Sequence, residues 1–451
     1  MIPIVTPEQM GAIDAAAPEP VDVLIDRAGR EVARAALSML GGTYGRVVNV
    51  IAGGGNNGAD GRVAGRYLER RGIKVRLFDV GDCPAVPPRA DLLIDAAFGT
   101  GFRGEWVAPD VGDAMVLAVD IPSGVLALTG EAGPGVLPAD MTVTFQALKP
   151  GLLFGAGRQL SGDVEVADIG LDVSGADQHL VERVDAASWW PARAVDSHKW
   201  KGAVRVVAGS PGMLGAGRMC AAAAARSGAG LVALSSPGMD PDARSEIIQR
   251  RIASFDFADE VMTDIDRFGS LVIGPGLGRE EFTIPSVRQV ISEAPVPVVV
   301  DGDGIFASAW SGEGAAPMLT ARELPTVLTP HDGEFALLTG APPGPDRTAA
   351  AVGLAVDLDC VVLLKGPTTV VATPSGEVLV VDHGDERLAT AGSGDVLAGM
   401  IGMALAGGAP PERAAAGAAW IHAEAARLGP DVGLLAGDLV ELLPQAVAGL
   451  W

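Results

Sequence analysis

Short runs of apolar, β-branched residues alternate with Ala-rich stretches of helical spacing along all 451 residues. VVNVIAG (47–53) predicts a buried strand, GRVAGRYLERRG (61–72) a helix and IKVRLFDV (73–80) a second strand. DLLIDAAFG (91–99), MVLAVDIPSG (115–124) and MTVTFQALKPG (141–151) supply three more strands with their exits. Ahead of them, residues 21–40 carry apolar side chains at helical spacing and predict a packing helix. The text turns polar and irregular over 172–198, which puts a boundary at about 180–190 and gives expected domains 1–180 and 185–451. The alternation then restarts with GAVRVVAGS (202–210), an Ala-rich helix to Ser227 and LVALSSP (231–237). SLVIGPGLG, VPVVVDGDG, PTVLTPHDGE and VVLLKGPTTVVATPSGEVLVV read as strands with glycine-rich exits, and TAGSGDVLAGMIGMALAGG (390–408) as a loop opening a helix. Repeated βα units of this kind build parallel sheets, so the class is α/β.

Composition narrows the partners. The formal charge is −23 and aromatic residues make up only 4%, while Gly (61) and Pro (32) punctuate the chain. An acidic chain of this kind is not built for wholesale binding of nucleic acid or an anionic membrane. A local phosphate site remains open to it, because backbone N–H groups and a few cations suffice. The three cysteines, Cys83, Cys220 and Cys360, lie far apart in no metal-like spacing. Neither a disulfide framework nor a zinc site is expected, and a cytoplasmic setting is. The opening residues lack a basic segment followed by an apolar core, and no apolar run is long enough to span a bilayer.

The candidate chemistry sits at strand exits, where parallel sheets collect ligands. In the first half, GGGNNGADG (53–61) brings Asn56, Asn57 and Asp60. The third strand ends at Asp95 before the Gly/Thr loop FGTGFRGE (98–105) with Arg103, the fourth in Asp120-Ile121-Pro122-Ser123-Gly124, and the fifth leads to Lys149. Any one of these is ordinarily a turn former or cap. Carboxylate, amide and hydroxyl oxygens converging from three exits can hold a hard cation. The glycine run is not the dinucleotide fingerprint of hydride-transfer enzymes. In the second half, Gly392 and Gly394 precede a helix whose first-turn N–H groups make an anion hole, and Asp395 beside it can take a proton from a hydroxyl as a phosphoryl group arrives. Lys365-Gly366-Pro367-Thr368-Thr369 at a strand end suits phosphates, GPGLG (274–278) can lie against a flat ligand, and Thr329 to Glu334 adds a donor and a carboxylate.

In this order, GGGNNGADG, DAAFGTGFRG, VDIPSG and FQALKPGL resemble the NAD(P)H-hydrate epimerase family over about residues 5–175. The resemblance implies potassium held by Asn57, Asp95 and Ser123. It implies contacts to the hydrated cofactor from Asn56, Asn57, Gly58, Ala59 and Asp60, from Gly99, Thr100, Gly101, Phe102, Arg103, Gly104 and Glu105, and from Asp120. Ala59 stands where that family usually has glycine. SHKWKGAVRVVAGS, GPGLG, TPHDGE, KGPTT and AGSGD resemble the ADP-dependent NAD(P)H-hydrate dehydratase family, of ribokinase-like fold, over about residues 185–448. That implies hydrate contacts from Ala216, Gly276, Gly278, His331, Glu334 and Asp395. It implies nucleotide contacts from Lys365, Gly366, Pro367, Thr368, Thr369, Gly392 and Gly394. The segment Val300-Asp301-Gly302-Asp303 carries glycine where alanine is common in the family.

Together the resemblances imply a Rossmann-like three-layer parallel-sheet domain followed by a ribokinase-like α/β domain. The implied activity is repair of hydrated NADH and NADPH (NADHX and NADPHX), with Asp120 and Asp395 catalytic, K+ in the epimerase site, Mg2+ with the nucleotide, and ADP as phosphoryl donor. A homo-oligomer is expected. A small-molecule kinase in the second half and a non-catalytic binding module in the first stay open as alternatives, and the choice of ADP over ATP rests on the resemblance alone.

Overall fold

A computed structural model describes residues 1–239, 246–310 and 314–451. The chain divides into two compact units, Ile2–Gln178 and His179–Trp451, the second taking in Met1.

The first unit is built on a six-stranded sheet in the order Lys74–Asp79, Val47–Ala52, Leu92–Ala96, Met115–Val119, Met141–Phe145 and Asp163–Ala167. Every neighbouring pair is parallel. Successive side chains point to opposite faces. Val48, Val50, Ile94, Leu117 and Val143 pack against Val32, Ala36, Leu40 and Leu68 of the helices Val21–Leu40 and Asn56–Arg70. Ile51, Leu93, Val116 and Ala118 point the other way, to a core closed by Trp106 and Leu137 from the connections. Central strands buried on both faces are apolar without alternation, which is why they stood out in the sequence.

In the second unit the sheet runs Ile248–Arg251, Leu231–Ser236, Ala203–Val207, Ser270–Ile273, Val298–Val300, Thr326–Leu328, Val361–Leu364, Thr369–Ala372 and Val378–Val381. The order is parallel as far as Val361–Leu364. Two antiparallel strands follow. Helix Ser393–Ala406 is buried continuously from Val396 to Leu405 and packs on Leu214–Arg226. A helix apolar on every side has to lie inside a core.

Several elements go beyond the sequence pattern, among them helix Arg183–Trp189 in the stretch read as irregular. Helix Pro7–Ala16 is set by a capping box in which Thr6 Oγ1 accepts from the Gln9 amide and Gln9 Oε1 from the Thr6 amide. Strands Asp163–Ala167 and Ile248–Arg251 carry exposed or half-buried polar residues and lack an apolar run. The helix expected to begin at Gly61 begins at Asn56. Gly58 lies in its first turn, where a Cβ would stand 2.0 Å from the Gly53 carbonyl oxygen, so only glycine fits there. Among the described residues, no helix is long and apolar enough to cross a membrane. The three cysteines are unpaired.

Candidate active sites

The strand order of the first unit reverses around Val47–Ala52, which has the second strand on one side and the third on the other. Such a switch point opens a crevice at the carboxyl ends of the strands. A cavity of ≈ 620 Å³ fills it, walled by Met10 and Asp14 of the first helix, by Asn56, Asn57 and Asp60, by the loop 97–103, and by Asp120, Phe145 and Lys149. Ring contacts at 5.1 Å from Phe98 to Phe102 and to Trp106 hold the loop against the unit. Arg103 is turned back on it, donating to the Phe102 carbonyl at 2.7 Å.

Asp120 takes φ +67, a left-handed conformation that costs a non-glycine residue about 1–3 kcal/mol when the surroundings impose it. Its carboxylate accepts from Lys149 Nζ at 2.6 Å and from Thr144 Oγ1 at 2.9 Å. Lys149 is 1% exposed and donates also to Thr144 Oγ1 and the Phe145 carbonyl, so its charge is committed to this corner. Asp60 has no such partner. Burial, with the negative fields of Asp120 and Asp14 added, pushes its carboxyl up to about 8. The site therefore holds a carboxylate paired with an ammonium beside a carboxyl that keeps its proton at neutral pH, the arrangement that divides base from acid.

Deeper in the crevice, Asp95 is buried and accepts from the Ser123 amide at 2.9 Å, Ser123 Oγ at 2.6 Å and the Ala97 amide at 3.3 Å. Burial outweighs these donors and pushes its carboxyl up. Asn57, on the cavity wall and close against Gly99, has both side-chain amide atoms buried and without a hydrogen-bond partner. A buried, orphaned amide oxygen, a buried carboxylate and a serine hydroxyl are the kinds of oxygen donor a hard cation takes.

The second unit gathers its polar groups at the carboxyl ends of its parallel strands. Lys365 Nζ donates to Asp301 Oδ1 at 2.8 Å and lies 3.6 Å from Glu334 Oε2. Burial pulls this ammonium down, but Asp301, Glu334 and Asp395 outweigh it and hold it above its ordinary range. A Cβ on Gly394 would sit 3.4 Å from Lys365 Nζ, so the lysine lies at the mouth of helix Ser393–Ala406. Gly392 caps that helix at φ +93, and Asp395 stands in its first turn. Burial first, then the field of Asp301, raises Asp395 to about 7, with Lys365 pulling the other way. Gly278 N donates to Asp303 Oδ2 at 2.9 Å, and Arg279 pairs with Asp303 Oδ1 at 2.8 Å. His331 and Glu334 form a reciprocal capping box for helix Asp332–Thr339. Ala216, in the first turn of Leu214–Arg226, packs on the Gly276 turn.

Family models agree with both halves: one described as NAD(P)H-hydrate dehydratase matches residues 204–444, and one described as YjeF-related protein N-terminus matches 21–87 and 79–151. The bifunctional NAD(P)H-hydrate repair enzyme Nnr of Moorella thermoacetica is 35% identical, the alignment covering 99% of this chain and 97% of that protein. The Escherichia coli protein of the same name is 33% identical, over 88% and 84%. The chain belongs to the bifunctional NAD(P)H-hydrate repair enzymes. It is accordingly both an epimerase and a dehydratase. An ADP/ATP-dependent NAD(P)H-hydrate dehydratase from Bacillus subtilis, crystallised with ATP and Mg2+, superposes with TM-score 0.50 at 28% identity, covering 60% of this chain and 98% of that one. A ribokinase-like protein from Enterococcus faecalis superposes at 0.53 with 23% identity, a likeness of fold.

In this repair enzyme the structure brings Asn56, Asn57, Asp60, Gly99, Thr100, Gly101, Phe102, Arg103 and Asp120 onto one cavity, while Gly58, Ala59, Gly104 and Glu105 are not on its wall. Gly366, Pro367 and Thr369 line a second, smaller cleft in the other unit, and Thr368 beside them is buried. The sequence reading left out Asp14 and Arg347, and assigned no role to Lys149, Asp301 and Asp303. The capping box at Thr6 was the available signal for the helix carrying Asp14. Arg347 donates to the Lys365 carbonyl at 2.8 Å and to both carboxylate oxygens of Asp332, and nothing local in sequence marks it.

Proposed function

We propose that the second unit transfers the β-phosphoryl group of ADP to the C6 hydroxyl of the S form of hydrated NADH or NADPH, and that the first unit interconverts the R and S forms. The observation that carries this is the convergence of Asp395, Lys365 and a helix N-terminus on one spot. Hydroxide is a poor leaving group, and phosphorylation replaces it with a good one. Asp395 takes the hydroxyl proton while the oxygen bonds to the β-phosphorus and the bond to AMP breaks. Lys365 and the Gly392–Gly394 turn hold the developing charge. The C6–O bond then breaks with the push of the ring nitrogen lone pair. Phosphate leaves, and loss of a C5 proton restores the C5–C6 double bond. Gly366, Pro367, Thr368 and Thr369 bind the nucleotide in this reading. Ala216, Gly276, Gly278, His331 and Glu334 lie along the hydrate.

In the first unit, Asp60 gives its proton to the departing C6 hydroxyl and the ring nitrogen expels water, leaving an iminium. Water returns to the other face, Asp120 takes its proton, and that proton passes back to Asp60. K+ would be held by Asn57, Asp95 and Ser123, where its charge would offset the buried carboxylate. Mg2+ would come with the nucleotide phosphates, as it commonly does. The unpaired thiols fit a cytoplasmic setting.

The test is absorbance at 340 nm after mixing the protein with R/S NADH hydrate, K+, Mg2+ and ADP. Full recovery of NADH with release of AMP and phosphate is expected. Recovery ending when the S form is gone would remove the epimerase role. A stable phosphorylated product with no NADH would point to a small-molecule kinase.

A further inference from the structure

Asp14 is an acid in a place its own helix disfavours. It lies in the last turn of helix Pro7–Ala16, where the free carbonyl groups form the negative end of the helix dipole, and no basic residue stands in that turn. Among the described residues its carboxylate has no hydrogen-bond or ion-pair partner. A local rule broken with no structural gain points to a functional position. Asp14 also lines the first unit's cavity, together with Asp60, Asp120 and Lys149.

The charges on that wall can be taken one by one. Its ionisable groups are Asp14, Asp60, Arg103, Asp120 and Lys149. The Asp120 carboxylate and the Lys149 ammonium cancel across their 2.6 Å contact. Arg103 is turned back on its own loop, donating to the Phe102 carbonyl at 2.7 Å and the Thr100 carbonyl at 3.4 Å. Asp60, buried and without an ion pair, keeps its proton. Asp14 remains. Burial raises its carboxyl, Lys149 pulls it back and Asp120 pushes it up again. The residue is exposed, and a carboxyl open to water is ionised at neutral pH. The wall therefore presents one negative charge that no group of the protein neutralises.

We infer that Asp14 is the counter-charge to the positively charged ring that forms during epimerisation. This rests on the epimerase reading given above and adds to it the residue that stabilises its intermediate. The ring of the hydrate is neutral. When the C6 hydroxyl takes the Asp60 proton and leaves as water, the C–O electron pair goes with it, and one positive charge is left shared between the ring nitrogen and C6. Return of water to the other face, with loss of a proton to Asp120, makes the ring neutral again. A fixed carboxylate on the wall favours the charged state over the neutral states on either side of it, which lowers the barrier without tightening substrate binding. Asp120, already matched by Lys149, cannot supply this.

The test compares wild type, Asp14→Asn and Asp14→Glu in the full chain. Conversion of R to S hydrate without ADP, followed by chromatography, reads the first unit alone. Asp14→Asn should lower kcat about ten- to a hundredfold and leave KM within about twofold, and Asp14→Glu should recover part of the rate. NAD+ and NADH give a second reading, because they differ in the charge on the ring. Each is titrated against the full chain, and hydrogen–deuterium exchange of peptides spanning 97–106 reports occupancy of this cavity. The ratio of NAD+ to NADH affinity should fall about tenfold in Asp14→Asn. Losing the field of Asp14 favours the ionised form of Asp60, which by itself moves that ratio the other way, so the fall cannot come through Asp60. An unchanged kcat, a change in KM alone, or an unchanged ratio would overturn the inference. Failure of the wild-type protein to convert R to S hydrate, or to bind either dinucleotide in this cavity, would overturn the epimerase reading beneath it.

Discussion

Asp60→Asn separates the two activities and carries a stability signature of known sign. In the folded protein Asp60 titrates at about 8, against an ordinary value of 3.8. A raised carboxyl pKa means that the folded protein keeps a proton the unfolded chain has released. The stability this gives is complete below about pH 4 and is lost as pH rises toward 8. Each pH unit in that window costs about 1.4 kcal/mol, so the loss at pH 7 is about 4 kcal/mol, and structural relaxation would leave about half of that. Asparagine copies the shape of the protonated carboxyl and does not titrate. The difference in stability between Asp60→Asn and wild type should therefore be near zero at pH 4 and reach about 2–4 kcal/mol in favour of the variant at pH 7 to 8. Hydrogen–deuterium exchange of peptides from helix Asn56–Arg70 across a urea series, in the full chain, reads the unit that matters. The same variant should repair S hydrate with ADP at the wild-type rate and leave R hydrate untouched. A stability difference that does not change with pH would refute the protonated Asp60, and normal R-to-S conversion would refute its role as the acid.

Other perturbations test the neighbouring groups. Lys149→Met leaves the Asp120 carboxylate largely buried and uncompensated, which should cost about 3–5 kcal/mol, and adding Asp120→Asn should recover most of it. Urea unfolding of the four-member cycle checks this, with ADP-dependent repair of S hydrate unchanged throughout. The dehydratase kcat/KM should rise with pH through a midpoint near 7, because Asp395 has to be ionised to take the hydroxyl proton. Asp395→Asn should abolish that activity while ADP binding persists, and turnover by this variant would sink the assignment. Arg347→Lys should raise KM for ADP about five- to tenfold with little change in kcat, since one lysine cannot bridge the Lys365 carbonyl and both Asp332 oxygens.

Strand exits were the legible part of both units, for a physical reason. Strands buried on both faces are apolar runs, and the polar residues that end them stand out against that background. Asp95, Asp120 and Lys365 all fall at such ends. Groups that reach a site from a helix face are less visible. Asp14 is an acid on a helix whose apolar periodicity is weak. The start of the helix at Asn56 was hidden because its first turn is Asn, Asn and Gly, residues with poor helical propensity, of which the two asparagines meet the crevice and Gly58 clears the Gly53 carbonyl. Asp301 lies 64 residues before the lysine it pairs with, and only the sheet joins them.

In the proposed mechanism similar carboxyls in similar surroundings do opposite work, and the influence of a nearby lysine distinguishes them. Asp60 and Asp395 are both carboxyls raised first by burial and then by neighbouring acids. Around Asp60 those neighbours, Asp120 and Asp14, both push upward. The unit's nearby ammonium, Lys149, is spent on Asp120, so Asp60 stays protonated and is fit to donate. Around Asp395 the field of Lys365, although its hydrogen bond goes to Asp301, pulls the carboxyl down while Asp301 pushes it up. The ionised form is thereby brought within reach at neutral pH, as a base requires. Lys365→Met should therefore shift the pH dependence of the dehydratase upward, because it removes the field that pulls Asp395 down.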